Sequence, residues 1–120
     1  MYTYEQSTGI LTNAHGEIVG EGYSGFGVGK NNPGWQAISD TGPIPRGTWS
    51  IGEHFDSPDH GPLAIHLAPI AGTLTMGRSG FLIHGDSLTH PGRASRGCII
   101  MPRQTRELVI AGSDKTLQVV

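Results

Sequence analysis

The chain holds one cysteine, Cys98, among its 120 residues, so no internal disulfide can form. A chain of this length can bury a core without bridges or metal. Long apolar runs are missing too, and Met1 leads into Tyr-Thr-Tyr-Glu rather than a basic segment and an apolar stretch. We therefore expect neither membrane insertion nor a secretory leader. Charge is sparse: eight Lys and Arg against ten Asp and Glu give a formal net charge of -2. The basic residues are scattered, which argues against the strongly basic face of a nucleic-acid binder. Repeats, linkers and charge blocks are absent, so residues 1–120 read as one domain.

Glycine is plentiful, with 19 residues, and proline contributes eight. The glycines fall between short alternating or β-branched runs, where tight turns need them. Strands are predicted at 1–6, 10–13, 17–22, 48–53, 63–67, 81–84, 98–101 and 116–120, with one helix at Arg103–Ala111 after Pro102. Leu108 and Val109 are the helix residues expected to face the core. The fold class is mainly β, a β-sandwich or flattened barrel with one peripheral helix.

Chemistry concentrates in residues 81–102. His84 ends one apolar run, and Cys98 opens the next, fourteen positions later. If the two strands are neighbours, a neutral His84 imidazole can take the thiol proton and generate a thiolate nucleophile. Gly97 permits the turn that aims the Cys98 N–H at a developing oxyanion. A base needs a third group to hold its tautomer, and Ser95, Asp86 or a backbone carbonyl is a candidate for orienting His84. Tyr23 and Ser24, set among glycines, are candidates to line a substrate groove. Asp86 and His90 lie close to His84 in the chain. Asp86 reads equally well as a substrate contact and as a loop-capping carboxylate. The set His84, Asp86 and His90 is also open to a zinc reading. His15, His54 and His60 fall in loops and are expected at the surface.

The segments His84-Gly85 and Ser95-Arg96-Gly97-Cys98-Ile99 resemble the signature of L,D-transpeptidase catalytic domains. Gly22-Tyr23-Ser24-Gly25, Lys30-Asn31-Asn32-Pro33 and Gly42-Pro43-Ile44-Pro45-Arg46-Gly47 resemble, in the same order, the type VI secretion L,D-transpeptidase effector family. Arg96 and Ile100 stand where the general transpeptidase pattern has His and a polar residue, often Arg. Arg96 or Arg93 is therefore expected to pair with the substrate carboxylate. The resemblance implies an L,D-transpeptidase-like fold and cysteine-dependent L,D-carboxypeptidase or transpeptidase activity on peptidoglycan tetrapeptide stems. It implies Cys98, His84, Ser95 and Gly97 as the catalytic set, with Asp86, Arg96, Tyr23, Ser24 and His90 toward substrate. No cofactor is expected. The implied partners are the stem peptide, a type VI secretion apparatus and a cognate immunity protein, with action in the periplasm of a target cell. Two other readings stay open at this point: a zinc peptidase built on His84, Asp86 and His90, and a non-enzymatic cell-wall-binding module.

Overall fold

In the computed structural model, which describes residues 1–120, the chain is mainly β with one α-helix. The strands are β1 (Tyr2–Tyr4), β2 (Ile10–Thr12), β3 (Ile18–Glu21), β4 (Tyr23–Ser24), β5 (Gly47–Ser57), β6 (Gly61–Pro69), β7 (Leu82–His84), β8 (Ile99–Ile100) and β9 (Thr116–Val119). The helix, α1, spans Arg103–Ala111. Two single 3-10 turns, Gly27–Gly29 and Pro33–Trp35, fill the connection from β4 to β5.

All nine strands join one open sheet in the order β3-β2-β1-β9-β5-β6-β7-β8-β4. The two ends of that order, β3 and β4, are consecutive in the chain and separated by Gly22 alone. The sheet is therefore rolled until one stretch of backbone supplies both edges, in keeping with the flattened barrel expected from the sequence. Gly22 makes this passage possible. Its N–H donates to the Gly9 carbonyl at 2.8 Å, and a Cβ built on it would stand 1.6 Å from the Ile100 oxygen. No side chain fits between these backbones. Gly22→Ala is expected to destabilise the fold by about 4 kcal/mol or more, the range of severe backbone clashes, and a circular-dichroism melt will show it.

One core of 15 buried residues fills the roll, including Tyr4, Leu11, Ile44, Trp49, Ile65 and Leu117. Trp49 meets Phe81 edge-on with ring centroids 5.1 Å apart, the favoured aromatic geometry. Helix α1 turns Thr105, Arg106 and Val109 inward. Leu108, expected beside Val109 in the core, is exposed instead, because it lies off the inward stripe formed by those three residues. The Thr105 hydroxyl donates to the Val19 carbonyl at 2.9 Å, and Arg106 donates to the Met101, Pro62 and Leu63 carbonyls. The helix thus ties β8 to the β5–β6 hairpin on the side where the candidate site lies.

Strands β5 and β6 run longer than the sequence indicates, eleven and nine residues, up to a turn at Pro58–His60. Register shifts after Ile51 and after Phe55 break the alternation that marks a strand in sequence. The hairpin carries His60 out to the end of β7.

Candidate active site

Strands β7 and β8 are parallel neighbours, with Ile83 opposite Ile99 and His84 opposite Ile100. Parallel pairing places His84 and Ile100 on one face and Ile83 and Ile99 on the other. Cys98, one residue before β8, falls by the same alternation on the face of His84. Both side chains line one cleft of about 480 Å³, together with His60, Asp40, Arg78 and Arg96.

His84 is 2% exposed. Its Nδ1 lies 2.8 Å from the Gly85 carbonyl, which can only accept, so Nδ1 carries the proton and Nε2 the lone pair. Nε2 is buried and has no hydrogen-bond partner. The group that fixes the tautomer is therefore a backbone carbonyl, one of the three alternatives the sequence leaves open. Burial pushes the imidazole down to about 4, against the Gly85 bond, with His60 and Arg106 adding to the depression. His84 is a neutral base at neutral pH.

Cys98 is half-buried, and its thiol donates a weak bond of 3.7 Å to the Gly80 carbonyl. Burial raises its pKa, while the Leu82 N–H and the Arg78 guanidinium pull the other way. With the thiol raised and the imidazole lowered, the resting pair is neutral.

The depressed His84 also sets a stability window. The unfolded chain takes up this proton near 6.5 and the folded chain only near 4. Stability from this group is complete above about 6.5 and is lost as pH falls toward about 4. Urea unfolding at pH 4.5 should show about 2 kcal/mol less stability from this group than at pH 7. In His84→Gln that difference should shrink.

Ser95 and Ser24 point inward. The fully buried Ser95 hydroxyl donates to the Cys98 carbonyl at 2.5 Å and accepts from the Gly25 N–H at 2.9 Å and the Gly97 N–H at 3.1 Å. The fully buried Ser24 hydroxyl donates to the Gly97 carbonyl at 2.9 Å and accepts from the Ile44 N–H at 2.8 Å. Each hydroxyl holds the backbone on which Cys98 sits. Gly97 adopts φ of 136°, and a Cβ there would meet the Arg78 guanidinium at 2.4 Å.

Tyr23 donates its hydroxyl to Asp86 Oδ1 at 2.5 Å and accepts from the Ala94 N–H at 2.9 Å. Burial and the Asp86 bond push its phenol up to about 12. Asp86 also accepts from the Ser87 and Gly92 N–H groups. Desolvation raises its carboxyl, but these donors and Lys30 outweigh that and leave it below the usual range. Asp86 is thus the loop-capping carboxylate of the 85–97 segment. His90 is exposed, with Nδ1 3.0 Å from the Thr89 hydroxyl. The zinc reading of His84, Asp86 and His90 is corrected here: no three His, Cys, Asp or Glu side chains converge to hold a metal ion.

Two residues at the site escaped the sequence reading. The exposed His60 ring stacks on His84 with centroids 4.3 Å apart. Arg78, 7% exposed, donates to the carbonyls of Gln36, Gly42, Pro43 and Arg96. Arg93 and Arg96 both stand over the Phe26 ring, at 5.7 Å and 5.1 Å from its centroid. Arg96 lines the cleft of Cys98, whereas Arg93 and His90 line the adjoining one beyond His84.

No helix is long and apolar enough to cross a membrane. A search of curated proteins finds no match. The profile of the Tlde1 domain matches residues 19–120, a stretch that takes in Tyr23, Ser24, His60, Arg78, His84 and the whole segment from Ser95 to Cys98. The chain therefore belongs to the Tlde1 domain family of type VI secretion effectors.

Proposed function

We propose that this chain is a cysteine-dependent L,D-carboxypeptidase and transpeptidase that acts on the tetrapeptide stems of peptidoglycan. The observation that carries this reading is the placement of Cys98 and a neutral, tautomer-fixed His84 in one cleft, with His84 Nε2 buried and unpartnered. Cys98 Sγ attacks the carbonyl at the L-centre of diaminopimelate and gives its proton to His84 Nε2. The oxyanion forms beside the Cys98 N–H. His84 then returns the proton to the leaving nitrogen as the amide C–N bond breaks and D-alanine departs. Water attacks the thioester to give a tripeptide carboxylate and regenerate the thiol, or a free D-amino acid takes its place and yields an exchanged stem.

Arg96, exposed at the cleft, is the side chain offered to a substrate carboxylate. As an effector of this kind the chain would travel through a type VI secretion apparatus, act in the periplasm of the target cell and be neutralised at home by an immunity protein. Purified disaccharide tetrapeptide, incubated with the protein with and without D-methionine, tests the reading by mass spectrometry. Tripeptide, or a stem carrying D-methionine, is expected. Unchanged tetrapeptide with folded protein would remove the reading and favour a cell-wall-binding module.

A further inference from the structure

The peptide unit between Gly97 and Cys98 decides where an oxyanion could be held. No peptide bond in the chain is cis. In a trans peptide the C=O and the N–H point in opposite directions. The Gly97 carbonyl is held by the Ser24 hydroxyl at 2.9 Å, in the interior. The Cys98 N–H is thereby turned away from Ser24, on the side of the cleft that Gly97 and Cys98 line. It meets no acceptor in the structure, whereas the neighbouring Gly97 N–H is occupied by Ser95. Gly97 itself gives no such control, because glycine tolerates either orientation of this peptide at little cost. Ser24 in turn is fixed by the Ile44 N–H, which belongs to the Gly-Pro-Ile-Pro loop before β5.

We propose that Ser24 is a positioning residue for acyl transfer: its buried hydroxyl locks the Gly97–Cys98 peptide so that the Cys98 N–H faces the oxyanion. The proposal rests on the acyl-transfer reading in taking Cys98 as the nucleophile, and it holds for any acyl donor. It also explains why a hydroxyl amid glycines stands at this place in β4. The glycines let the backbone approach, and the hydroxyl reaches the one carbonyl that must be turned inward.

The test compares two reactions of the same thiol. p-Nitrophenyl acetate acylates Cys98 through an oxyanion. The Sγ–C bond forms, the C–O bond to the aryl group breaks, p-nitrophenolate leaves with the electron pair, and the thiol proton passes by His84 to water. Iodoacetamide alkylates the same sulfur by direct displacement of iodide and forms no oxyanion. In Ser24→Ala the acylation rate should fall about 100-fold, the scale of one lost oxyanion donor. The alkylation rate should stay within about three-fold, since no oxyanion donor enters that step. Ser24→Thr, which keeps the hydroxyl, should recover most of the acylation. Equal losses in both reactions, or none in acylation, would overturn the proposal. Amide exchange of the wild-type chain tests it without any variant: the Cys98 amide should exchange with deuterium far faster than those of β8. A protected Cys98 amide would also overturn it. If tetrapeptide is left unchanged while the ester behaves as expected, the peptidoglycan substrate is wrong and the role of Ser24 stands.

Discussion

Replacing Cys98 by alanine is expected to remove tripeptide formation and D-amino acid exchange together, by about 10³-fold or more, because both pass through one thioester in the proposed mechanism. The fold should not notice. Cys98 is half-buried, and its sulfur makes only the weak bond to the Gly80 carbonyl and a contact with the Leu82 N–H. The melting temperature of Cys98→Ala should therefore match the wild type within a degree or two, and loss of activity cannot be assigned to unfolding. The wild-type thiol should behave in a second distinctive way. Burial raises the Cys98 pKa and lowers that of His84 to about 4. The alkylation rate should climb steadily with pH through neutrality, following the thiolate fraction. A plateau between pH 5 and 8 would show a preformed thiolate–imidazolium pair and would contradict the neutral pair of the structure. An active Cys98→Ala variant would end the cysteine mechanism altogether.

The sequence exposes the segment that carries His84 and Cys98 because that segment is local. His84, Gly97 and Cys98 lie within fifteen residues, and each sits at the end of an apolar run that must be a strand. The closure of the sheet is not local. The sequence ends a strand at Gly22 and reads Tyr23 and Ser24 as a glycine-rich stretch, and nothing in residues 18–24 tells that Gly22 carries the chain from one sheet edge to the other. The parallel pairing of β1 with β9 is equally invisible, since it joins the two termini. His60 and Arg78 stay hidden for a related reason. Each lies in a loop, and only the length of the β5–β6 hairpin and the path of the chain before β7 bring them to the cleft. Ser24 and Ser95 show a different limit. A hydroxyl in a glycine-rich stretch looks the same in sequence whether it faces a substrate or a backbone carbonyl, and here both face carbonyls.

Arg78→Met should cost about 3 kcal/mol of stability, a fall in melting temperature of about 10 °C for a domain of this size. Arg78 sits 7% exposed with its charge spread over four backbone carbonyls, Gln36 at 2.6 Å, Pro43 at 2.7 Å, Gly42 at 2.8 Å and Arg96 at 3.3 Å. It has no carboxylate within salt-bridge distance, so its loss orphans oxygens rather than a counter-charge. Methionine fills the space over Phe81, where the guanidinium now stands 5.2 Å from the ring centroid, but it donates nothing. The carbonyls it abandons belong to the loop before β5 and to the turn that leads into Cys98. The variant should therefore loosen the site as well as the fold. Charge separates the two effects. Arg78 favours the Cys98 thiolate, and the thiolate in return favours the charged guanidinium. Arg78→Lys keeps the charge and loses the fork that reaches several carbonyls at once. It should restore much of the alkylation rate at pH 8 while melting nearly as low as Arg78→Met. Equal melting temperatures for the wild type and Arg78→Met would refute the structural role. An alkylation rate indifferent to both variants would refute the electrostatic one. The expected split makes Arg78 the point where the fold's closure and the readiness of its thiol depend on the same side chain.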